Sequence, residues 1–367
     1  MRKFKKAFRR LPDPRAANAR HNLLEVLVIA LAATLCGAES CSDMADFGEA
    51  KEELLRLFLH LEHGVPSHDT FSRVFRLLDP EAFEAAFRRF MAAFAKANGL
   101  KLTGVVAVDG KALRGAYERG SKATPLHLVN VFAVEARMAL AQQKAPGRNE
   151  TAGALEVLEL LSLGGCIVTA DALHCSRAFA SAVLQRGGDY ALAIKANRGP
   201  LFKAVTQQFA RSGRRSSAAQ IDPSSHDRHE ARRATVMRNT SLAARHGFPG
   251  VAAVGRITSR RRLRGQRADA PVVRHYLLSK YISPKRLRHI TRSHWGIENQ
   301  VHWVLDVGFH EDQSRIRAGY AAENFAVLRH LALNLLQHHK TKGLSVRTRR
   351  MKAAWDDDYL LQVLHSI

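Results

Sequence analysis

Two short apolar runs, each ending in an aspartate, constrain this chain more than any other feature: Val105-Val106-Ala107-Val108-Asp109 and Ile167-Val168-Thr169-Ala170-Asp171. Runs this short and this apolar, closed by turn residues, read as strands buried on both faces. The middle of such a strand meets no water, so a carboxylate is tolerated only at its end, where it can meet a cation. Strand ends are also where α/β sheets carry their sites. Either aspartate alone has an ordinary explanation as a turn residue, and Asp109 does precede Gly110. The pair points to a site at one edge of a sheet.

The rest of the pattern fits an α/β fold with a mixed sheet. Further strands are expected at His127–Val134, Arg137–Gln143, Cys166–Ala170 and Tyr190–Ile194, with helices at Ala152–Leu161 and Ser176–Arg186 between them. Upstream, Asn22–Cys36, Ser42–Gly48, Glu49–Leu61 and Pro80–Asn98 show apolar residues at helical spacing, so residues 1–100 form an all-α module whose boundary lies near 99–103. Residues 101–345 then form the catalytic domain. Within it, residues 202–275 turn polar, basic and weakly periodic, as an insertion subdomain or an ordered loop system would. Ser283–Trp303 and Ala321–His339 read as helices, and a tail, 346–367, ends with Asp357–Leu364. No internal repeat is present.

Charge narrows the partner. Lys and Arg total 57 against 33 Asp and Glu, a formal charge of +24 and a pI near 10.6. The excess gathers at Arg2–Arg20, Arg256–Arg274 and Lys340–Lys352, which is an electrostatic footprint for phosphates. A membrane surface fits less well, because no long amphipathic helix with an aromatic side accompanies these runs. Leu23–Cys36 carries Glu25 and falls short of the ~20 residues that span a bilayer, and no signal-peptidase site follows it. It reads as a buried helix. Cys36, Cys41, Cys166 and Cys175 form no C-x-x-C pair in a chain too large to need staples, which fits a reducing cytoplasm.

A third acid completes a set. Glu298 lies in H-W-G-I-E-N-Q-V-H-W, where Glu298, Val301, His302 and Leu305 share one helix face. As an isolated residue it would pass for a salt-bridged surface glutamate. Three carboxylates, however, are the oxygen ligands that phosphoryl transfer through two hard cations about 3.5–4 Å apart requires. Cations and amides that could orient a scissile strand flank them: Lys111 and Arg114 after the first acid, Lys195 and Asn197 after the strand at 190–194, Arg292 and His294 before the glutamate. Each could equally be a solvated surface group. Trp295 and Trp303, eight positions apart, are expected to pack in the core rather than to stack on bases.

Eighteen histidines raise the question of zinc. His294 and His302 are eight apart, and His226 and His229 lie in a loop-like stretch without paired cysteines, so no tetrahedral set emerges. No phosphate-binding glycine loop follows a strand and no G-x-S-x-G elbow is present, which removes ATPase, dehydrogenase and hydrolase readings.

Several longer motifs resemble a known family. V-D-G-K (108–111), V-T-A-D-A (168–172), G-D-Y-A-L-A-I-K-A-N (188–197), S-H-W-G-I-E-N-Q-V-H-W-V-L-D-V (293–307) and E-D-Q-S-R-I-R (311–317), with C-G-A-E-S (36–40) and P-S-H-D-T-F-S-R-V-F-R-L-L-D-P (66–80) upstream, are similar to motifs of the ISAs-type insertion-sequence transposases. These are also called H-repeat-associated proteins, a branch of the DDE transposases. The resemblance implies an RNase-H-like fold, and DNA strand cleavage followed by strand transfer at the ends of a mobile element. It implies two Mg2+ (or Mn2+) ions held by Asp109, Asp171 and Glu298, with Asp306, Glu311 and Asp312 as rivals for the third place. Its implied partners are double-stranded DNA with terminal inverted repeats and target DNA, engaged as a homodimer at the bacterial nucleoid, with no membrane. His294 and Leu305 stand where broader relatives carry an arginine and a lysine or arginine. The alternative is a non-catalytic DNA-binding protein of the same fold.

Overall fold

A computed structural model describes residues 1–116, 125–211, 217–225, 228–239, 241–263, 269–339, 341 and 343–365; His226 and Lys340 lie outside this set. Its centre is a mixed sheet built from β1 (Gly104–Leu113), β2 (Leu126–Ala133), β3 (Met138–Lys144), β4 (Cys166–Ala170), β5 (Asp189–Ile194), β6 (Ser217–Ser225), β7 (Arg228–Arg238), β8 (Ala253–Leu263) and β9 (Val272–Leu278). The spatial order is β3-β2-β1-β4-β5-β9-β8-β7-β6. β1 to β3 form an antiparallel meander, while β4 and β5 run parallel to β1. That order and sense are RNase-H-like. Val105 to Val108 are all buried, as are all five residues of β4. The parallel register sets Val108 opposite Ala170, so Asp109 and Asp171 leave the sheet side by side.

The helices are α1 (Arg2–Phe8), α2 (Leu23–Cys36), α3 (Cys41–Ala50), α4 (Glu52–Arg56), α5 (His68–Leu77), α6 (Pro80–Ala97), α7 (Glu150–Glu159), α8 (Arg177–Gln185), α9 (Gly199–Arg211), α10 (Ser241–His246), α11 (Pro284–His294), α12 (Trp303–Gly308), α13 (Ala321–His338), α14 (Val346–Trp355) and α15 (Asp357–His365). The helices before β1 share one core with the sheet domain. Phe75 of α5 meets Phe325 of α13 with ring centroids 4.8 Å apart. α2 is buried from Val26 to Leu35 and capped by the Asn22 side chain, which accepts from the Leu24 and Glu25 amides. No single helix among the described residues is long and apolar enough to cross a membrane. The tail forms α14 and α15 and closes over α2, where Arg350 Nε donates to Thr34 O at 3.1 Å.

Three expectations need correction. Of the two expectations for 202–275, an insertion subdomain or a loop system, the loop system falls: most of its described residues form β6 to β9, beside α9 and α10, and these strands lengthen the central sheet antiparallel from β5. Ala234, Val236, Ala253 and Ile257 bury against Leu287 and Ile290 of α11, so one apolar face holds the extension in place. Ser283–Trp303 is not one helix. α11 stops at His294, and a π-helical turn, Glu298–His302, precedes α12. This break accounts for the third correction: Trp295 and Trp303 are turned out of the core, 43% and 61% exposed.

Candidate active site

The site forms at Asp109, midway along β1, and at Asp171, just past the end of β4, with Glu298 of the π turn facing the same space. The expected turn at Asp109-Gly110 is absent, because β1 runs on to Leu113 paired with β2. A cavity of about 530 Å³ is lined by Asp109, Asp171, Lys195, His294, Trp295 and Glu298, with β9 supplying the facing wall. Residues far apart in the chain thus open onto one space. The π turn contributes directly, since such turns carry one residue more per turn than an α-helix and re-aim the side chains on either side of them.

The three acids have unequal environments. Asp109 is mostly buried and accepts from the Gly110 amide at 3.0 Å. Burial, then the charge of Glu298, then those of Asp171 and Glu150 push its carboxyl up to about 7, against the help of that amide. Burial also acts to raise Asp171, but the Ala172 amide, Lys195 and His294 outweigh it and hold the carboxyl below its usual value. Lys195 Nζ lies 3.4 Å from Asp171 Oδ1. Glu298 is raised by burial and by Asp171. Asp109 and Glu298, each raised in part by an acidic neighbour, gain no such lysine among the described residues, whereas Asp171 is met by Lys195. Their oxygens are the donors a hard divalent cation takes. Among the described residues no three His, Cys, Asp or Glu side chains gather at metal-ligand range; the acids line one cavity rather than closing on one point.

Of the expected flanking residues, Lys195 and His294 join the acids. His294 is pushed down to about 4 by burial, and its Nδ1 sits 3.1 Å from Thr169 Oγ1. Asn197 lies just outside, its Nδ2 donating to Ala172 O at 3.3 Å behind Asp171. Arg292 is exposed on α11 and does not line the cavity. Arg114 points to solvent, with Asp312 3.5 Å away.

Lys111 is placed differently from what its position in V-D-G-K suggests. Its side chain is buried, and Nζ reaches Asp306 Oδ1 at 2.5 Å, Glu311 Oε2 at 2.7 Å and His302 O at 3.4 Å. α12 and the turn after it cover the strand there, so this cation neutralises acids of its own chain and is closed to a phosphate. The same contacts occupy Asp306 and Glu311, and Glu311 also meets Arg329 at 3.8 Å. Neither lines the cavity, and Glu298 does.

Three further residues touch Asp109 or its surroundings. His302 Nδ1 lies 3.7 Å from Asp109 Oδ2, and its Nε2 lies 3.2 Å from Asn130 Nδ2, the residue paired with Asp109 across the β1–β2 ladder. Glu150, at the start of α7, adds charge near Asp109 and is itself held by His127 Nδ1 at 2.9 Å. The four-residue spacing of Glu298 and His302 was a usable signal for His302. Nothing in the sequence marks Asn130, because the register of two strands joined by a long connection is not written in either.

Known proteins resemble this chain over most of its length. Residues 101–335 match the family described as Transposase DDE domain, and residues 5–91 match the one described as DDE_Tnp_1-associated. The chain is 32% identical over 363 residues to "Putative protein YbfL" of Escherichia coli (strain K12), covering 96% of this chain and 95% of the relative. It is 31% identical over 363 residues to "H repeat-associated putative transposase YhhI" of the same strain, covering 96% and 95%. It is 32% identical over 364 residues to "Putative transposase YncI" of Escherichia coli O157:H7, covering 97% and 93%.

Proposed function

The chain belongs to the DDE transposases of the H-repeat-associated insertion-sequence type, and from that premise we propose that it cuts and rejoins DNA at the ends of an insertion sequence with Asp109, Asp171 and Glu298 as the metal-holding acids. The observation that carries this reading is the shared cavity of the three carboxylates, in which Asp109 is raised to about 7 by burial and by its acidic neighbours. Two Mg2+ or Mn2+ ions bound there would polarise the scissile phosphate and lower the pKa of attacking water or hydroxyl.

The chain's own residues supply the rest. Asp109, within β1, and Asp171, just past the end of the adjacent parallel β4, set the spacing of two ligands. Glu298 supplies the third from the π turn. His302, neutral because burial pushes it down to about 3, orients Asp109 rather than charging against it. Lys195 and Arg274 on the cavity walls are positioned to meet phosphate oxygens. Trp295, exposed in the same wall, offers a face on which an unpaired base stacks. The substrate on this reading is duplex DNA with terminal inverted repeats, joined to target DNA by a homodimer acting in the cytoplasm at the nucleoid.

One observation favours a second reading, a DNA-binding protein that does not cut: the acids do not gather at metal-ligand range. Incubation with terminal-repeat duplex and Mg2+ separates the two. Metal-dependent strand cleavage supports the first, and salt-sensitive binding by folded protein without any cleavage supports the second.

A further inference from the structure

Away from the acids, a cleft of about 810 Å³ opens between α5 and the segment 315–321, and Arg76, Arg315, Arg317 and Ser72 line it without any carboxylate among the described residues. The guanidiniums come from two parts of the chain more than 230 positions apart by number, 76 and 315.

The two sides are fastened together. Asn324, fully buried on α13, donates from Nδ2 to the carbonyls of Phe75 at 2.9 Å and Leu78 at 2.8 Å. The Tyr320 amide donates to Arg76 O at 3.1 Å. Gly319, at φ +53, passes so near that a Cβ there would stand 2.4 Å from Arg76 O, a place for glycine alone. The 315–317 side is tied in turn to the end of β1. Arg317 Nε donates to Gly115 O at 2.6 Å, and a Cβ on Gly115 would stand 2.2 Å from Ser314 O. Buried Arg329 supports the same segment by donating to Ser314 Oγ at 2.9 Å.

Like charges held around one cleft on a braced frame repel one another. A helix C-terminus favours a cation and accounts for Arg76 at the end of α5, and the Gly115 carbonyl accounts for Arg317, but neither accounts for Arg315. A polyanion relieves Arg76 and Arg315 together, and guanidinium forks match the paired oxygens of a phosphodiester.

We propose that this cleft grips the sugar–phosphate backbone of the duplex DNA at a distance from the cut. Gly115 follows Asp109 by six residues, at most about 20 Å of extended chain, which is about six base pairs of duplex. The anchor of the 315–317 side, the Gly115 carbonyl, therefore lies within about six base pairs' length of Asp109. The proposal rests on the reading that the partner is DNA, and not on cleavage.

The test is binding of the full-length protein to a linear duplex across a salt series without divalent metal. R76A/R315A is expected to lower the slope of log K against log salt by about 2, and R76K/R315K to keep it, since each phosphate contact contributes ~0.9. R315E alone, at an exposed position, is expected to lower it by at least about 1. Phosphate-ethylation interference on terminal-repeat duplex is expected to lose one patch of signal away from the cut end in the alanine variant. An unchanged slope in R315E and in folded R76A/R315A overturns the proposal. Failure of the wild type to cut DNA counts against the catalytic reading alone, because no step of this experiment needs cutting.

Discussion

His302 Nδ1 stands 3.7 Å from the Oδ2 of Asp109 while Asn130 Nδ2 stands 3.2 Å from His302 Nε2, so an amide on β2, a ring on the π turn and a carboxylate on β1 form one chain of contacts. An amide N–H facing Nε2 assigns the ring proton to Nδ1, on the side of Asp109. Burial keeps the ring neutral, with its pKa pushed down to about 3. His302→Ala is expected to weaken Mn2+ binding to the acids by about 10–100-fold, the usual effect of removing a partner that orients a ligand. Titration calorimetry on the metal-free protein reads this directly. Unaltered Mn2+ affinity in a folded variant would leave His302 with a packing role only.

Lys111 is predicted to matter for stability and not for DNA contact. Its Nζ is the principal counter-ion of Glu311, whose side chain is 2% exposed. Lys111→Met leaves that acid buried beside Arg329 alone, and breaking a buried pair in this way costs about 3–5 kcal/mol. Urea unfolding should register the loss, while the salt dependence of DNA binding, at a temperature where the variant is folded, should match the wild type. A stable variant with a shallower salt slope would put Lys111 on the DNA after all.

Asp109 makes stability fall with rising pH. Its carboxyl is raised from the usual 3.8 to about 7. Between these values the folded protein keeps a proton that the unfolded chain has released, so stability declines through that window and the full penalty persists above it. The shift corresponds to roughly 4 kcal/mol as an upper bound. Asp109→Asn has no charge to bury. It should equal the wild type near pH 4 and exceed it at pH 8, provided no divalent metal is present. Equal or lower stability of the variant at pH 8 contradicts the electrostatic picture of the cavity.

Asn324 ties the N-terminal helices to the sheet domain through two buried hydrogen bonds, to Phe75 O and Leu78 O. Asn324→Leu leaves both carbonyls without that donor and is expected to cost about 2–4 kcal/mol, at 1–3 kcal/mol per buried group left unsatisfied less what apolar packing returns. Differential scanning calorimetry should show a lowered melting temperature, with the loss spread over the whole chain because the core is continuous. A separate early transition confined to the N-terminal helices would mean instead that they unfold as an independent module.

What could be read from the sequence, and what could not, follows from how local each signal is. β4 was legible to the residue because Cys166–Ala170 is buried on both faces and so reads as an unbroken apolar run. Asp109 and Asp171 were legible for the same reason, each closing such a run. β7 was not legible: Arg228–Arg238 carries Arg228, Arg232, Arg233 and Arg238 among its eleven residues, and the apolar face that seats it, Ala234 and Val236, is too narrow to stand out. The π turn left no mark either, since Glu298, Val301, His302 and Leu305 keep the spacing that an unbroken α-helix would show. Lys111 shares a strand face with Asp109, and what covers it, Asp306 and Glu311 from α12 and the turn beyond, lies 195 and 200 positions away.

On the proposal that Asp109, Asp171 and Glu298 act together through divalent metal, the wild type is expected to cut terminal-repeat duplex with Mg2+ or Mn2+ and not with EDTA. Losses of at least about 10³-fold in strand cleavage are expected in D109N, D171N and E298Q, with DNA binding retained in all three. Cutting at the wild-type rate by folded D109N or D171N would contradict it.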